Sequence, residues 1–378
     1  MNPAVLLVRL LSLLPRRAGG AAPAARPGRR SRRSARTAVI WAAAAFLALT
    51  AAASVAMNLV APQIRDPEYG RRIVALKARM AENPGRPVAV VIGSSRSSMG
   101  VCPAAWEESR PNGARPDPLL FNLSLVGSGP VMELMTLRRM YADGVRPDAV
   151  VLEYWPPFLR QDGPYFEPDR IDVSRLRADD RELVRGYFPD PAATERRMLV
   201  NRLHPLYENR HRLMAQVEPR WLPWDRRLNV GWENLDRWGW LPGLDEHPPR
   251  PELRAGRLAH CRPIYHAQLY RYAIHPLADR AIREAVALAR ANGARVALAY
   301  LPESAEFRGW YPPEVERAGH EHLIGLCHEL GLPLIDARPW MPDELLVDGF
   351  HLSRVGAAAF TRKFGPAAAK TFPDLGRR

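Results

Sequence analysis

The sequence predicts an α/β fold with a parallel β-sheet, joined to an N-terminal helix that crosses a membrane. Short runs of apolar residues, many of which are β-branched, recur along the chain between turn residues. Such runs are typical of strands buried on both faces of a parallel sheet. Helical segments lie between several of these runs, and this alternation indicates βαβ units. The predicted strands are Pro87–Ile92, Leu119–Leu123, Ala149–Leu152, Val296–Leu301 and Leu332–Ile335.

Three helical segments support this alternation because each is followed by a glycine that can end a helix. Their apolar residues recur at helical spacing, as expected for helices that cover a sheet. The predicted segments are Met132–Ala142, Pro276–Asn292 and Val315–Leu330.

The N-terminal region predicts a membrane anchor. The segment 38–61 contains no charged residue, and about 20 apolar helical residues span the hydrocarbon core of a bilayer. The arginine-rich residues 1–37 precede it, so the positive-inside rule places them in the cytoplasm. A cleaved signal peptide is the alternative, with Ala51–Ala53 as small residues for cleavage. The long leader favours an uncleaved, single-pass anchor.

The charge distribution argues against a nucleic-acid partner. Of the net charge of +14, nine arginines before residue 37 leave only five for the remainder of the 378 residues. Binding of a polyanion, the lowest-ranked alternative for the function, would therefore involve only the arginine-rich residues 1–37. Three cysteines without a CxxC pair indicate no zinc ribbon, and we expect neither a metal nor a cofactor.

Outside the membrane, the sequence divides into a stalk and a globular domain. Residues 62–86 form the stalk, with a helix over Tyr69–Glu82, and residues 87–378 form the domain. Residues from about 160 to 274 break the α/β pattern and are predicted to be a cap insertion. Its tryptophans either form a substrate platform or pack a small satellite core. They are Trp221, Trp224, Trp232, Trp238 and Trp240.

Two motifs can carry chemistry. The first strand runs directly into Gly93-Ser94-Ser95-Arg96, and parallel sheets bind ligands at the carboxyl ends of their strands. Near the C-terminus, Asp348 precedes His351 by three residues, a spacing that can bring the carboxylate to the imidazole Nδ1 and leave Nε2 as a base. Ser353 is the predicted N-cap of the closing helix.

The order of these motifs resembles the SGNH/GDSL hydrolase family, over roughly Pro87–Ala369 without the cap. Gly93-Ser94-Ser95 stands where the family has Gly-Asp-Ser, and His351-Leu352-Ser353-x-x-Gly356 is similar to its last block. The resemblance implies a three-layer α/β/α, flavodoxin-like domain. It also implies Ser95 as the nucleophile, with Asp348 and His351 completing the catalytic triad.

The middle blocks of the family are matched in part. The stretch from Leu120 to Gly127 is similar to the second block, so the resemblance implies an oxyanion hole made by the N–H groups of Ser95 and Gly127, with Gly129 as the alternative to Gly127. The third block normally supplies an asparagine. Here the strand Ala149–Leu152 is followed by Glu153-Tyr154-Trp155 instead.

Three further residues are candidates for substrate binding: Arg96, Asn122 and Trp155. The Gly-Ser-Ser-Arg context resembles the membrane-anchored SGNH-like proteins of bacterial envelopes. In that context Arg96 could bind an acidic group, and a surface salt bridge is the alternative.

Together these features predict a serine esterase or acyltransferase. We expect it to be tethered to the bacterial inner (cytoplasmic) membrane with its domain in the periplasm. The expected substrate is an acyl group of an envelope polysaccharide or of a lipid-linked donor. The alternatives are a catalytically inactive SGNH-like scaffold and a glycan-binding protein of polysaccharide assembly.

Overall fold

A computed structural model describes residues 31–57, 64–109, 118–160, 167–223, 231–243, 245–373 and 375. Within them the predicted α/β fold is confirmed: five parallel strands form one sheet. All five correspond to runs predicted from the sequence. The strands are β1 Val88–Ile92, β2 Leu119–Asn122, β3 Ala149–Glu153, β4 Arg295–Tyr300 and β5 Leu334–Asp336.

The strand order is β2-β1-β3-β4-β5, the order of flavodoxin-like doubly wound sheets. The direction in which strands are added reverses between β1 and β3, which pair in register from Ala89 with Ala149 to Ile92 with Leu152. Such a reversal opens a crevice at the carboxyl ends of the two strands. Residues that follow β1 and β3 therefore face the same crevice.

The helices connect and cover the strands. They are α1 Ser31–Val55, α2 Pro67–Glu82, α3 Ser95–Gly100, α4 Pro103–Glu108, α5 Pro130–Ala142, α6 Glu167–Arg170, α7 Arg181–Tyr187, α8 Pro191–Leu203, α9 Pro205–Glu208, α10 Arg210–Val217, α11 Pro251–Leu269, α12 Pro276–Ala291, α13 Ala305–Arg308, α14 Pro313–Leu330 and α15 Arg354–Thr371. Short 3-10 helices lie at Pro156–Leu159, Val173–Arg175, Ala178–Asp180, Pro219–Trp221, Gly231–Asn234 and Asp343–Leu345.

Both faces of the sheet are buried. Ala89 and Val91 of β1 pack in one apolar cluster with residues of α4 and α15, including Trp106 and Phe360. Side chains alternate along a strand, so Val90 points to the opposite face, and it is fully buried there. The helices α5 and α12 pack against one another and α12 against β4.

The chain divides into two compact units, which we call the anchor unit and the sheet unit. Residues 1–66 and 196–230 form the anchor unit, and residues 67–195 and 231–378 form the sheet unit. The predicted cap insertion is therefore shared between the two units. The predicted stalk is wrong in one respect: its helix α2 is present, but Tyr69, Ile73 and Leu76 are buried within the sheet unit because their spacing gives α2 an apolar face.

The predicted membrane segment lies largely within α1. Residues Ser34–Val55 form one helix that is long and apolar enough to span a membrane, with a mean hydropathy of 2.1. The helix starts before the predicted residue 38, since the arginines and small residues ahead of it also favour a helix. Residues 58–61 of the predicted segment and residues 1–30 of the predicted tail lie outside the described residues.

Candidate active site

The Gly-Ser-Ser segment forms the turn between β1 and α3. Ser94 is the N-cap of α3, and its Oγ accepts a hydrogen bond from the N–H of Arg96 at 3.1 Å. Ser95 is therefore the first residue of the helix, and its side chain is half-buried, whereas Ser94 is buried. Of the two serines, only Ser95 presents its hydroxyl to the crevice.

A buried carboxylate from the neighbouring strand fixes this turn. Glu153, the last residue of β3, accepts hydrogen bonds from the Ser94 N–H at 2.7 Å, from Ser94 Oγ at 3.0 Å and from Ser97 Oγ. A Cβ atom at position 93 would overlap the Glu153 carboxylate. Gly93 is thus required by this anchoring contact, which the sequence motif alone does not reveal.

The second motif is a tight loop that presents Asp348 and His351 on one side. The ends of the loop pair through an isolated bridge between Leu346 and Leu352, and the Val347 N–H donates to the His351 carbonyl at 2.8 Å. Ser353 N-caps α15 through the Gly356 N–H, as predicted.

Gly349 lets this loop close. Its φ of +101° lies in the region that favours glycine. A Cβ atom there would also lie 3.0 Å from Leu258 of α11 and 3.1 Å from Phe307. A side chain at position 349 would therefore strain the loop that holds the adjacent Asp348.

The three predicted catalytic residues come together in one hydrogen-bonded chain. His351 Nε2 lies 2.8 Å from Ser95 Oγ, and His351 Nδ1 lies 2.8 Å from Asp348 Oδ2. Because an ionised carboxylate only accepts, Nδ1 carries the proton and Nε2 accepts from the Ser95 hydroxyl. The His351 side chain is 20% exposed, so the site is open to solvent. This arrangement can activate a serine for nucleophilic attack.

The Asp348 carboxyl is held in its ionised form. Burial opposes ionisation, but the adjacent His351, together with hydrogen bonds from His351 and from the Phe350 N–H, outweighs it and lowers the pKa of Asp348 below its ordinary value. The Asp348 Oδ1 atom accepts from the His351 N–H at 2.9 Å and from the Phe350 N–H at 3.2 Å. Asp348 therefore keeps its charge throughout the neutral range.

The N–H groups predicted to form the oxyanion hole differ in whether they already have a hydrogen-bond acceptor. Within the described residues, the N–H groups of Ser95 and Gly127 have no hydrogen-bond acceptor. The Gly129 N–H, by contrast, donates to Glu167 Oε1 at 2.7 Å. The alternative donor Gly129 is therefore wrong, because a buried carboxylate already occupies its N–H.

Arg96 is buried, so the alternative of a surface salt bridge is wrong, whereas its binding of an acidic group stays a prediction. It is 2% exposed, and its Nη2 donates to the carbonyls of Leu301 at 2.7 Å and Pro302 at 3.1 Å. Its Nη1 lies 3.4 Å from Glu153 Oε1. The guanidinium is an internal cation beside the serine turn, and its Nε and Nη1 atoms have no hydrogen-bond partner among the described residues.

Asn122 is also internal, and its amide bonds to the backbone around the serine turn, so its substrate contact stays a prediction. It is fully buried, and its amide donates to the carbonyls of Ser97 at 2.8 Å and Val101 at 2.7 Å. Its Oδ1 accepts from the Ser124 N–H at 3.1 Å. Asn122 therefore holds the C-terminal end of α3, the helix that begins with Ser95.

Trp155 packs against the catalytic loop. It is 3% exposed, and its indole Nε1 donates to Glu303 Oε1 at 2.8 Å. Its ring centroid lies 5.6 Å from that of Phe350, which in turn lies 4.4 Å from His351. The Trp155 side chain also lines a small cavity beside the serine turn, and its substrate role stays a prediction.

The tryptophans of the predicted insertion do not form one platform. Trp232 is buried and Trp240 donates to the Met99 carbonyl at 2.6 Å, both in the sheet unit. Trp221 is 64% exposed and belongs to the anchor unit. Trp224 lies outside the described residues. Trp240 packs against the main apolar cluster of the sheet, so it does not belong to a separate satellite core.

Sequence reasoning missed two buried carboxylates of the crevice. Glu167 accepts from the N–H groups of Gly129, Val131 and Met132 at 2.7, 2.8 and 2.9 Å, and so anchors the start of α5. Glu133 is buried nearby, and burial together with Glu153 and Glu167 raises its pKa well above the ordinary value. In the sequence, the one signal for Glu133 is that an acidic residue lies on the apolar face of a predicted helix.

Among the described residues, no group of three or more His, Cys, Asp or Glu side chains is arranged to hold a metal ion. Comparison with models of protein families and with curated proteins finds no match to this chain.

Proposed function

We propose that this chain is a membrane-anchored serine esterase or acyltransferase of the SGNH/GDSL type. The observation that carries the proposal is the continuous hydrogen-bonded chain from Ser95 through His351 to Asp348. Strand order, the crevice at the ends of β1 and β3, and the positions of both motifs are consistent with the family. The apolar helix α1 supports an anchor, with the sheet unit outside the cytoplasm.

In the proposed reaction, Ser95 Oγ attacks the carbonyl carbon of an ester while His351 Nε2 takes the hydroxyl proton. The N–H groups of Ser95 and Gly127 stabilise the negative oxygen that develops. The intermediate then collapses: the ester C–O bond breaks, and the leaving alkoxide receives the proton from His351. An acyl group remains on Ser95.

Water or a sugar hydroxyl then attacks the acyl-enzyme and gives its proton to His351. The bond between the acyl carbon and Ser95 Oγ breaks, and His351 returns that proton to Ser95 Oγ. Asp348 keeps the Nδ1 proton in place throughout and stabilises the imidazolium. Because both acceptors use the same triad, hydrolysis and transfer differ only in how well water is excluded. The anchor favours an acyl donor or acceptor of the cell envelope.

A second candidate is a non-catalytic scaffold with the same fold. One observation favours it: no asparagine follows β3, and the side chain at that point, Trp155, is internal. The loss of one oxyanion donor typically costs about 10²–10³ in turnover. An enzyme with two donors would thus be slow but measurable.

Turnover of an activated ester tests the proposal. We expect the full-length protein in neutral detergent to release p-nitrophenol from p-nitrophenyl acetate, and Ser95→Ala to reduce the rate to the uncatalysed level. Adding an envelope oligosaccharide should divert acetyl groups to its hydroxyls if the protein is a transferase, as read by the mass of the sugar. Equal rates for the wild type and Ser95→Ala would favour the scaffold.

A further inference from the structure

The anchor unit places an arginine-rich segment at the C-terminal end of α1. The hydroxyl of Ser54, near that end, donates to the Arg202 carbonyl at 2.9 Å. The helix α9, which follows Arg202, packs against α1. Residues 196–223, which we call the arginine segment, therefore lie where the chain would leave a membrane.

One arginine of this unit, Arg65, is buried with two of its guanidinium nitrogens unpaired among the described residues. Arg65 is 3% exposed, and its Nε and Nη2 atoms have no hydrogen-bond partner among the described residues. The neighbouring Asp66 carboxylate is not one of their acceptors. A buried, unpaired cation is costly, so such a group in a native protein calls for an anion.

Two further arginines act on the charge of Arg65. Burial and the positive charges of Arg202 and Arg212 lower the pKa of Arg65 to about 10. Arg202 and Arg212 are both half-buried, and Arg212 Nη1 donates to Asn209 Oδ1 at 3.2 Å. A phosphate has several acceptor oxygens and can therefore accept hydrogen bonds from more than one guanidinium group.

The surface beside these arginines is apolar and aromatic. Leu203 is 56% exposed, Tyr207 65% and Trp221 64%. The arginine segment also carries six arginines and only two acidic residues, Glu208 and Glu218. Exposed leucines together with tyrosine, tryptophan and arginine are typical of a segment that lies in the headgroup region of a membrane.

We propose that Arg65, Arg202 and Arg212 bind the phosphate group of an anionic membrane phospholipid, while the exposed side chains of the arginine segment enter the headgroup region. The proposal rests on the membrane anchoring proposed above. A lipid is favoured over a free phosphate because the site adjoins α1 and the apolar side chains beside it would otherwise face water. The site would fix the anchor unit at the membrane surface.

Native mass spectrometry of the full-length protein from a neutral detergent tests this site. After addition of phosphatidylglycerol or phosphatidylcholine, we expect the wild type to retain one phosphatidylglycerol in preference. Arg65→Gln and Arg212→Gln should each reduce the retained fraction about tenfold, as expected for the loss of a charge-assisted contact. Arg185→Gln, which removes the same charge from a side chain 64% exposed in the sheet unit, should retain lipid like the wild type.

Retention of phosphatidylglycerol by both Arg65→Gln and Arg212→Gln at the wild-type level would overturn the proposal. So would equal retention of both lipids by the wild type, or displacement of the lipid by millimolar inorganic phosphate, which would identify a site for a free anion. Ester turnover and resistance of the membrane-bound protein to carbonate extraction, measured on the same variants, report separately on the proposed enzyme and anchor. If the protein shows no ester turnover or is extracted by carbonate, lipid retention in detergent can still be measured.

Discussion

Asp348→Asn is expected to reduce the rate of ester hydrolysis by about 10⁴ without unfolding the protein. The asparagine oxygen can still accept from the backbone N–H groups of Phe350 and His351, so the loop keeps its shape. Its amide nitrogen, however, would face His351 Nδ1 as a donor. The imidazole must then place its proton on Nε2, where it can no longer accept the proton of Ser95.

Steady-state turnover of p-nitrophenyl acetate measures this loss, and the melting temperature checks the fold. Glu344→Gln is the matched control, since Glu344 is an exposed acid four residues away in the sequence, and it should retain wild-type turnover. An Asp348→Asn protein with turnover within about threefold of the wild type would show that Asp348 does not orient the histidine, because typical triads lose about 10⁴.

Glu153→Gln is expected to destabilise the sheet unit by about 3–5 kcal/mol, the usual cost of breaking a buried ion pair. The carboxylate accepts from Ser94 and Ser97 and lies 3.4 Å from Arg96. An amide in its place turns one acceptor into a donor that faces other donors. It also removes the negative charge of Glu153 from beside the Arg96 guanidinium.

Thermal unfolding measures this change, and the expected fall in melting temperature is roughly 10 °C for a domain of this size. Glu284→Gln provides the control because Glu284 pairs with Arg138 at 3.3 Å on the surface, with both side chains more than 30% exposed. Such exposed pairs contribute about 0–1 kcal/mol. Equal melting temperatures for the two variants would mean that Glu153 does not anchor the serine turn.

The architecture was predictable because a strand buried on both faces of a sheet has a continuous run of apolar residues in its sequence. Continuous apolar runs such as Val88–Ile92 can form only strands or buried helix segments, and their length together with flanking turn residues decides for strands. The N-cap Ser353 was predictable for a similar reason, since capping is local. Helix α2 was predicted as well, but its burial depends on packing partners remote in sequence.

The candidate site was predictable only where chemistry and local spacing coincide. The pair Asp348 and His351 is local, and its link to Ser95 follows from strand ends that meet at one edge of a parallel sheet. The roles of Arg96, Asn122 and Trp155 were not predictable in this way. Each is buried by elements distant in the chain, such as Glu303 and the loop after β4, so a polar or aromatic residue beside the nucleophile gave no signal that it points inward.

The most direct test of an activated serine is covalent labelling of the full-length protein with a fluorophosphonate, followed by mass spectrometry of its peptides. We expect one adduct, on Ser95, that disappears in both Ser95→Ala and His351→Ala, because the hydroxyl reacts only when the histidine accepts its proton. A folded wild type that remains unlabelled, or an adduct that persists in His351→Ala, would contradict the proposed triad.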